Sequence, residues 1–220
     1  QRRKITFPAL PTAFTLANGV CGLAAITIVT SPPTDVYSQI DLAFYSAVLI
    51  FLGMVFDVLD GHVARMTKQT SQFGKELDSL CDVITFGIAP VFIMLTYTDV
   101  FQKRFLWGIG VLFAVSAILR LARFNVETGE EDAHDGFDGL PSPAAAGTLA
   151  AFAIAMPELT SVVSDTIYPD SVRSFAASLL TASHFFIPIL ALALAFLMVS
   201  RYQYPHVVQQ WVRGRRAPHQ

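Results

Sequence analysis

The sequence predicts an all-α polytopic membrane protein: a bundle of six transmembrane helices with a polar active site at its cytoplasmic side. Three observations carry the prediction. The 220 residues are 53% hydrophobic and only 15% charged, against about 25% charged in a soluble domain. Mean hydropathy is +0.51. Six apolar stretches approach the ~20 residues that a helix needs to cross a bilayer core. At this length a single domain over 1–220 is expected.

The first span runs over about 12–30 and ends at the Ser31-Pro32-Pro33 turn. The second covers 42–66, and its last turns are polar. The third starts near Gly74 with a polar first half and ends near Tyr97. The fourth covers 105–124. A loop over 129–141 follows, with an acidic run at 129–135 that reads as solvated. The fifth covers 143–156, with room for extension at either end. The region around Pro157 and Pro169 reads as loop, and the sixth span covers 179–200.

Six spans put both termini on one side of the membrane. Twelve cations lie on that side: Arg2, Arg3, Lys4, Arg65, Lys68, Lys75, Arg120, Arg123, Arg201, Arg213, Arg215 and Arg216. Only Lys103, Arg104 and Arg173, three cations, lie on the other. The positive-inside rule makes the first side cytoplasmic, in a cell (inner) membrane. Setting Arg65, Arg120 and Arg123 aside as site residues leaves nine against three. The net charge of −2 says little as a total. No cleavable signal peptide is expected, because a Pro-containing stretch and Asn18 follow the basic start. Cys21 and Cys81 sit in apolar stretches without metal-type spacing and read as reduced packing residues. Arg213, Arg215 and Arg216 suit anionic membrane lipid and not nucleic acid.

The chemistry concentrates between Phe56 and Pro90. Asp57 and Asp60 are three apart; Asp78 and Asp82 are four apart. Both spacings put two carboxylates on one helix face. A short polar turn joins the two helices, so the faces can converge in an antiparallel pair. Ionisable groups at a membrane edge are functional by default. Four carboxylates repel one another unless some are protonated or cations sit among them. Oxygen ligands suit hard divalent ions such as Mg²⁺, Mn²⁺ or Ca²⁺. Facing carboxylates can bridge two such ions about 4 Å apart, the arrangement of phosphoryl-transfer sites.

The neighbouring residues fit. Gly61 removes a side chain where a substrate can approach, although a helical Gly costs about 1 kcal/mol relative to Ala. Ala64 keeps the same face low one turn later. Arg65 can pair with phosphate oxygens, and Ser71 can hydrogen-bond a phosphate. Gly74 opens the third helix and lets the two helices pack closely. His62 lies one position round from the Asp face and reads as surface or packing. His184 reads as packing.

The residues Asp57-x2-Asp60-Gly61-x2-Ala64-Arg65-x8-Gly74-x3-Asp78-x3-Asp82 hold eight fixed positions over 26 residues. This pattern resembles, without departure, the signature of the CDP-alcohol phosphotransferase family. Six helices agree with that family's fold. The resemblance implies that Asp57 and Asp78 bridge two divalent metal ions, Mg²⁺ or Mn²⁺. It implies that Asp60 binds one ion and Asp82 the other, and that Asp82 is also the general base for the acceptor hydroxyl. Gly61, Ala64, Arg65 and Ser71 are implied to line the CDP-lipid site. A homodimer is implied by the resemblance alone.

Three further segments resemble the phosphatidylserine synthase branch. They are Pro11-x3-Thr15-x2-Asn18-x3-Gly22, the run from Arg120 to Asn125, and the run from Gly139 to Ala146. The implied reaction joins CDP-diacylglycerol and L-serine. Thr15 and Asn18 share a helix face and are read as reaching the nucleotide of the CDP-lipid, with a bond to a neighbouring helix as the alternative. Arg120 and Arg123, one turn apart, bind the serine carboxylate or a lipid phosphate, or else snorkel to head groups. Asn125 bonds an acceptor or caps its helix. Pro141 and Ser142 shape an acceptor pocket or form a plain turn. Glycerol 3-phosphate or an inositol phosphate remains an alternative acceptor, and an ether-linked lipid an alternative donor. A divalent-cation transporter is the rival from another class. Against it, the carboxylates cluster at one edge, and an ion path gives no reason for the Gly-x2-Ala-Arg insert.

Overall fold

The structure, a computed structural model, describes residues 9–67, 71–98, 100–127, 137–200 and the backbone of 203–204. Arg2, Arg3, Lys4, Lys68, Arg201, Arg213, Arg215, Arg216 and the acidic run 129–135 lie outside the described residues.

Among the described residues seven α-helices follow one another: α1 (Ala9–Thr30), α2 (Gln39–Thr67), α3 (Gln72–Asp82), α4 (Ala89–Tyr97), α5 (Lys103–Glu127), α6 (Ser142–Ser164) and α7 (Asp170–Val199). A π-helical turn, Val83–Ile88, joins α3 to α4, so the two form one continuous span, Gln72–Tyr97. Six spans result among the described residues, each long and apolar enough to cross a membrane. The chain is a multi-pass membrane protein. Among the described residues the only sheet pairs Phe137–Asp138 with Gln203–Tyr204, too little to alter the all-α class.

The π turn ends just before Pro90, which lies in the first turn of α4 and has no N–H for the carbonyl four residues back. Pro32, Pro33 and Pro169 lie in loops as the sequence leads one to expect, but Pro157 does not; α6 runs through it to Ser164. A proline inside a membrane helix removes a single backbone donor, which neighbouring helices and local adjustments accommodate. The last span begins nine residues before 179, at Asp170. Its first turns are polar, yet their hydroxyls fold back on the helix: Ser178 Oγ donates to the Ser174 carbonyl at 2.9 Å and Thr181 Oγ1 to that of Ala177 at 3.0 Å. Arg173 Nε donates to the Val163 carbonyl at 3.2 Å and so closes the end of α6.

Small residues set the packing, as expected where lipid removes the hydrophobic drive between helices. One core cluster joins α1, α2, α4 and α6 through residues such as Ala25, Ala47, Ala89 and Ala150. A second joins α4, α5, α6 and α7 around Phe113, Ala145 and Ala191. The third span and α6 are the walls common to both. Large apolar side chains such as Val20, Val111 and Phe196 point outward, the arrangement suited to lipid. α1 lies along α2 and also packs on α3, whereas α2 and α3 scarcely touch along their backbones. They are not the closely packed antiparallel pair expected from the short turn between them. The space between them is the site.

Candidate functional site

α2 brings Asp57 and Asp60 to that space on one face, and α3 brings Asp78 from the other side. Oxygen atoms of these three carboxylates lie within 4.8 Å of one another. Asp60 is only 6% exposed. Buried Asp60 Oδ2 and Asp78 Oδ1 have no hydrogen-bond partner in the protein. A buried carboxylate oxygen without a donor is strongly unfavourable, and three negative groups at this range repel. An all-oxygen donor set with unmet acceptor capacity fits hard divalent cations.

A cavity of about 410 Å³ opens beside the cluster. Its wall includes Thr15, Asp60, Gly61, Ala64, Arg65, Ser71, Asp78 and Asn125. Side chains of the α2–α3 link shape it. Ser71 caps α3, its hydroxyl accepting from the Gly74 N–H at 3.0 Å. Arg65 is exposed and folds back one turn, with Nε donating to the Gly61 carbonyl at 3.0 Å. A Cβ built on Gly61 meets nothing within 4 Å. Packing therefore does not require glycine at 61, and its missing side chain enlarges the cavity. Gly74 does not permit a close helix–helix approach, because a Cβ there meets only the Ser71 hydroxyl, at 3.1 Å.

Asp82 lies one turn beyond Asp78, where α3 passes into the π turn. It is buried and is not one of the three clustered carboxylates. Its Oδ1 accepts from Asn18 Nδ2 at 2.9 Å.

A family model for CDP-alcohol phosphatidyltransferases matches residues 8–199. The chain belongs to this family. Among curated relatives, the CDP-diacylglycerol–serine O-phosphatidyltransferase of Helicobacter pylori (strain ATCC 700392 / 26695) is 45% identical over 98 residues, 44% of this chain and 41% of the relative. The archaetidylserine synthase of Methanothermobacter thermautotrophicus is 39% identical over 155 residues, 68% of this chain and 60% of the relative. The Saccharomyces cerevisiae CDP-diacylglycerol–serine O-phosphatidyltransferase is 44% identical over 100 residues, 43% of this chain and 36% of the relative. The matched chain thus spans 36% to 60% of the length of these relatives.

Within this member of the phosphatidyltransferase family, the remaining sequence-derived candidates divide into two groups. Asn125 stands in the cavity wall and ties α5 to α3, its Nδ2 donating to Ser79 Oγ at 2.8 Å. Asn18, Arg120, Arg123, Pro141 and Ser142 do not line the cavity. Arg120 donates through Nη1 to the fully buried Ser142 hydroxyl at 3.0 Å, and its Nε has no hydrogen-bond partner. Pro141 is the cap residue before α6, where Gly139 at φ +82° turns the chain against the end of α7.

Sequence reasoning passed over Lys75, which it counted only for topology. Lys75 lines the cavity with Thr12 and Phe124. A signal existed, since Lys75, Asp78 and Asp82 recur at helical spacing on one face.

Proposed function

We propose that this chain transfers a phosphatidyl group from CDP-diacylglycerol to L-serine, giving phosphatidylserine and CMP. The observation that carries the reading is the convergence of Asp57, Asp60 and Asp78 beside a cavity walled by Gly61, Ala64, Arg65 and Ser71. Family membership supports the chemistry. Serine is common to the names of the Helicobacter, Methanothermobacter and yeast relatives, and this supports the acceptor.

Asp57, Asp60, Asp78 and Asp82 would hold two divalent ions, Mg²⁺ or Mn²⁺, which when bound supply charge neutralisation at a diphosphate. Arg65 and Lys75, both in the cavity wall, add positive charge for phosphate oxygens. Gly61 and Ala64 keep the wall low so that a nucleotide can lie against it, with Thr15 and Ser71 offering hydroxyls. The two acyl chains remain in the bilayer. An aliphatic hydroxyl is a poor nucleophile at neutral pH, and a base within reach raises its reactivity. Asp82 takes the serine hydroxyl proton. The hydroxyl oxygen bonds to the lipid-side phosphorus, the bond from that phosphorus to the CMP oxygen breaks, and CMP leaves. Asn125 shapes the acceptor side from the cavity wall; Arg120 and Arg123 supply charge for the serine carboxylate from outside that wall, with Arg120 held from behind by the buried Ser142 that follows Pro141. The charge asymmetry of the sequence puts both termini and the site on the cytoplasmic side of the cell (inner) membrane. The assembly is read as a homodimer on the family resemblance.

The test uses the full chain in lipid nanodiscs with CDP-diacylglycerol and Mn²⁺. CMP release and lipid product are followed with L-serine, glycerol 3-phosphate or an inositol phosphate as acceptor. Serine-dependent release with phosphatidylserine as product is the expected result. Faster transfer to a phosphorylated acceptor overturns the choice of serine. Absence of release with every acceptor overturns the enzyme and favours a transporter.

A further inference from the structure

We infer that Asn18 is a positioning residue for Asp82, holding one carboxylate oxygen through its side-chain amide so that the other is presented in a fixed direction. The inference rests on the transferase reading, in which Asp82 is both ligand and base.

Asn18 is 0% exposed, midway along α1, and no solvent competes for its amide. Its Nδ2 donates to Asp82 Oδ1 at 2.9 Å, although 64 residues separate the two. Asn18 is itself held from several sides. Its backbone carbonyl accepts from Thr85 Oγ1 at 2.9 Å, and Thr85 belongs to the π turn that starts directly after Asp82. Gly53 of α2 closes the third side: a Cβ there would lie 2.9 Å from Asn18 Oδ1 and 2.7 Å from Thr85 Cγ2. The amide therefore has little freedom to swing away.

A carboxylate that flips about its last torsion exchanges its two oxygens. A donor fixed on Oδ1 removes that freedom. The chemistry of the residue also fits. An amide presents a donor to a carboxylate without adding charge. Leucine, with the same branched outline, would leave Oδ1 buried without a donor, and aspartate would add repulsion. Groups that orient a metal-binding carboxylate from outside the ligand set commonly influence affinity or activity 10- to 100-fold. This role also accounts for Asn18 facing α3 and not the cavity.

The test compares Asn18→Ala with Ser46→Ala in the full chain in nanodiscs. Ser46 is a packing control on the same α1–α2 interface: its buried hydroxyl donates to the Ala25 carbonyl at 2.6 Å, away from the aspartates. Three quantities are read: Mn²⁺ affinity by electron paramagnetic resonance, kcat with KM for each substrate, and the thermal unfolding midpoint. Asn18→Ala should lower kcat or weaken Mn²⁺ binding by about 10- to 100-fold, with the CDP-diacylglycerol KM little changed. Ser46→Ala should lower the midpoint while leaving kcat and Mn²⁺ affinity near wild type. If Asn18→Ala does not fold, Asn18→Leu keeps the branched outline of the side chain at a larger volume, loses the donor and carries the same comparison. Wild-type kcat and Mn²⁺ affinity in the Asn18 variant, or equal losses in Ser46→Ala, overturn the inference. A wild-type chain that transfers nothing to serine, yet loses Mn²⁺ affinity on Asn18→Ala, overturns the serine reading and leaves the positioning role standing. A working serine transferase indifferent to Asn18→Ala does the reverse.

Discussion

The seam between α1 and the π turn and the cleft between α2 and α3 lie side by side, and they use glycine for opposite ends. At the seam, a Cβ on Gly22 would stand 2.5 Å from Thr85 Oγ1 and 2.8 Å from Thr85 Cα. Backbone and side chain already fill the space that glycine leaves. In the cleft, a Cβ on Gly61 meets nothing, and buried carboxylate oxygens stand without protein donors. The seam is filled by protein, although Asn18 Oδ1 within it has no hydrogen-bond partner, whereas the cleft is shaped for something the chain does not itself supply. A motif glycine is thus structural or functional according to what occupies its missing side chain.

The sharpest way to break this contrast is to alter the carboxylates. Asp57→Ala should abolish metal binding and turnover together. Asp82→Asn should lower turnover at least about a thousandfold, the scale of a group acting in the transition state, while largely sparing CDP-lipid binding. CMP release and equilibrium binding of the CDP-lipid measure the two effects separately. Near-normal turnover in Asp82→Asn would remove Asp82 from the role of base.

Next in size comes a pair of identical changes at the two glycines. Gly22→Ala pushes on the Thr85 backbone and should destabilise the chain by about 1–3 kcal/mol, as overpacking does. Gly61→Ala has room, and alanine is the better helix former by about 1 kcal/mol. It should leave the unfolding midpoint equal or higher while raising the CDP-lipid KM. Thermal unfolding with steady-state kinetics on both variants checks the pair. The same response in both would erase the distinction between seam and cleft.

Much of this was legible in the sequence, and the limits have physical causes. The six spans follow from hydropathy, and the acidic positions from helical spacing. Carboxylate spacing does not reveal the gap between α2 and α3, because a short turn is compatible with packed or splayed helices. α1 packs against both while they scarcely touch each other, and that is a tertiary fact. The extra reach of α7 was hidden by serines and threonines that satisfy themselves on their own helix. Asn18 illustrates the limit best. Its face on α1 was readable, but the choice between nucleotide and neighbouring helix depended on the phase of α3, and hence on a π turn that spacing rules do not encode.

A smaller effect is expected on the acceptor side. Arg123→Ala should raise the serine KM more than the CDP-lipid KM, since the proposal assigns it to the carboxylate end of the acceptor. Initial rates with each substrate varied in turn decide it. The reverse ranking would move Arg123 to the lipid side of the cleft.

The smallest effect belongs to the far end of the third span, which resembles the seam more than the cleft. There Tyr97 OH lies 3.0 Å from Ser183 Oγ and 2.7 Å from Met156 Sδ, and its ring stacks on His184 with centroids 4.8 Å apart. One side chain thereby links α4, α6 and α7. Tyr97→Phe keeps the ring and removes the hydroxyl. Ser183 retains its bond to the Leu180 carbonyl at 2.6 Å, so no buried donor is orphaned and the loss should be about 1 kcal/mol. The unfolding midpoint should fall slightly while both KM values stay unchanged. A shift in the serine KM would mean that the two ends of the third span are coupled, and the π turn between Asp82 and Ala89 would be the element to examine, because it is the one place where the span's hydrogen-bond register changes.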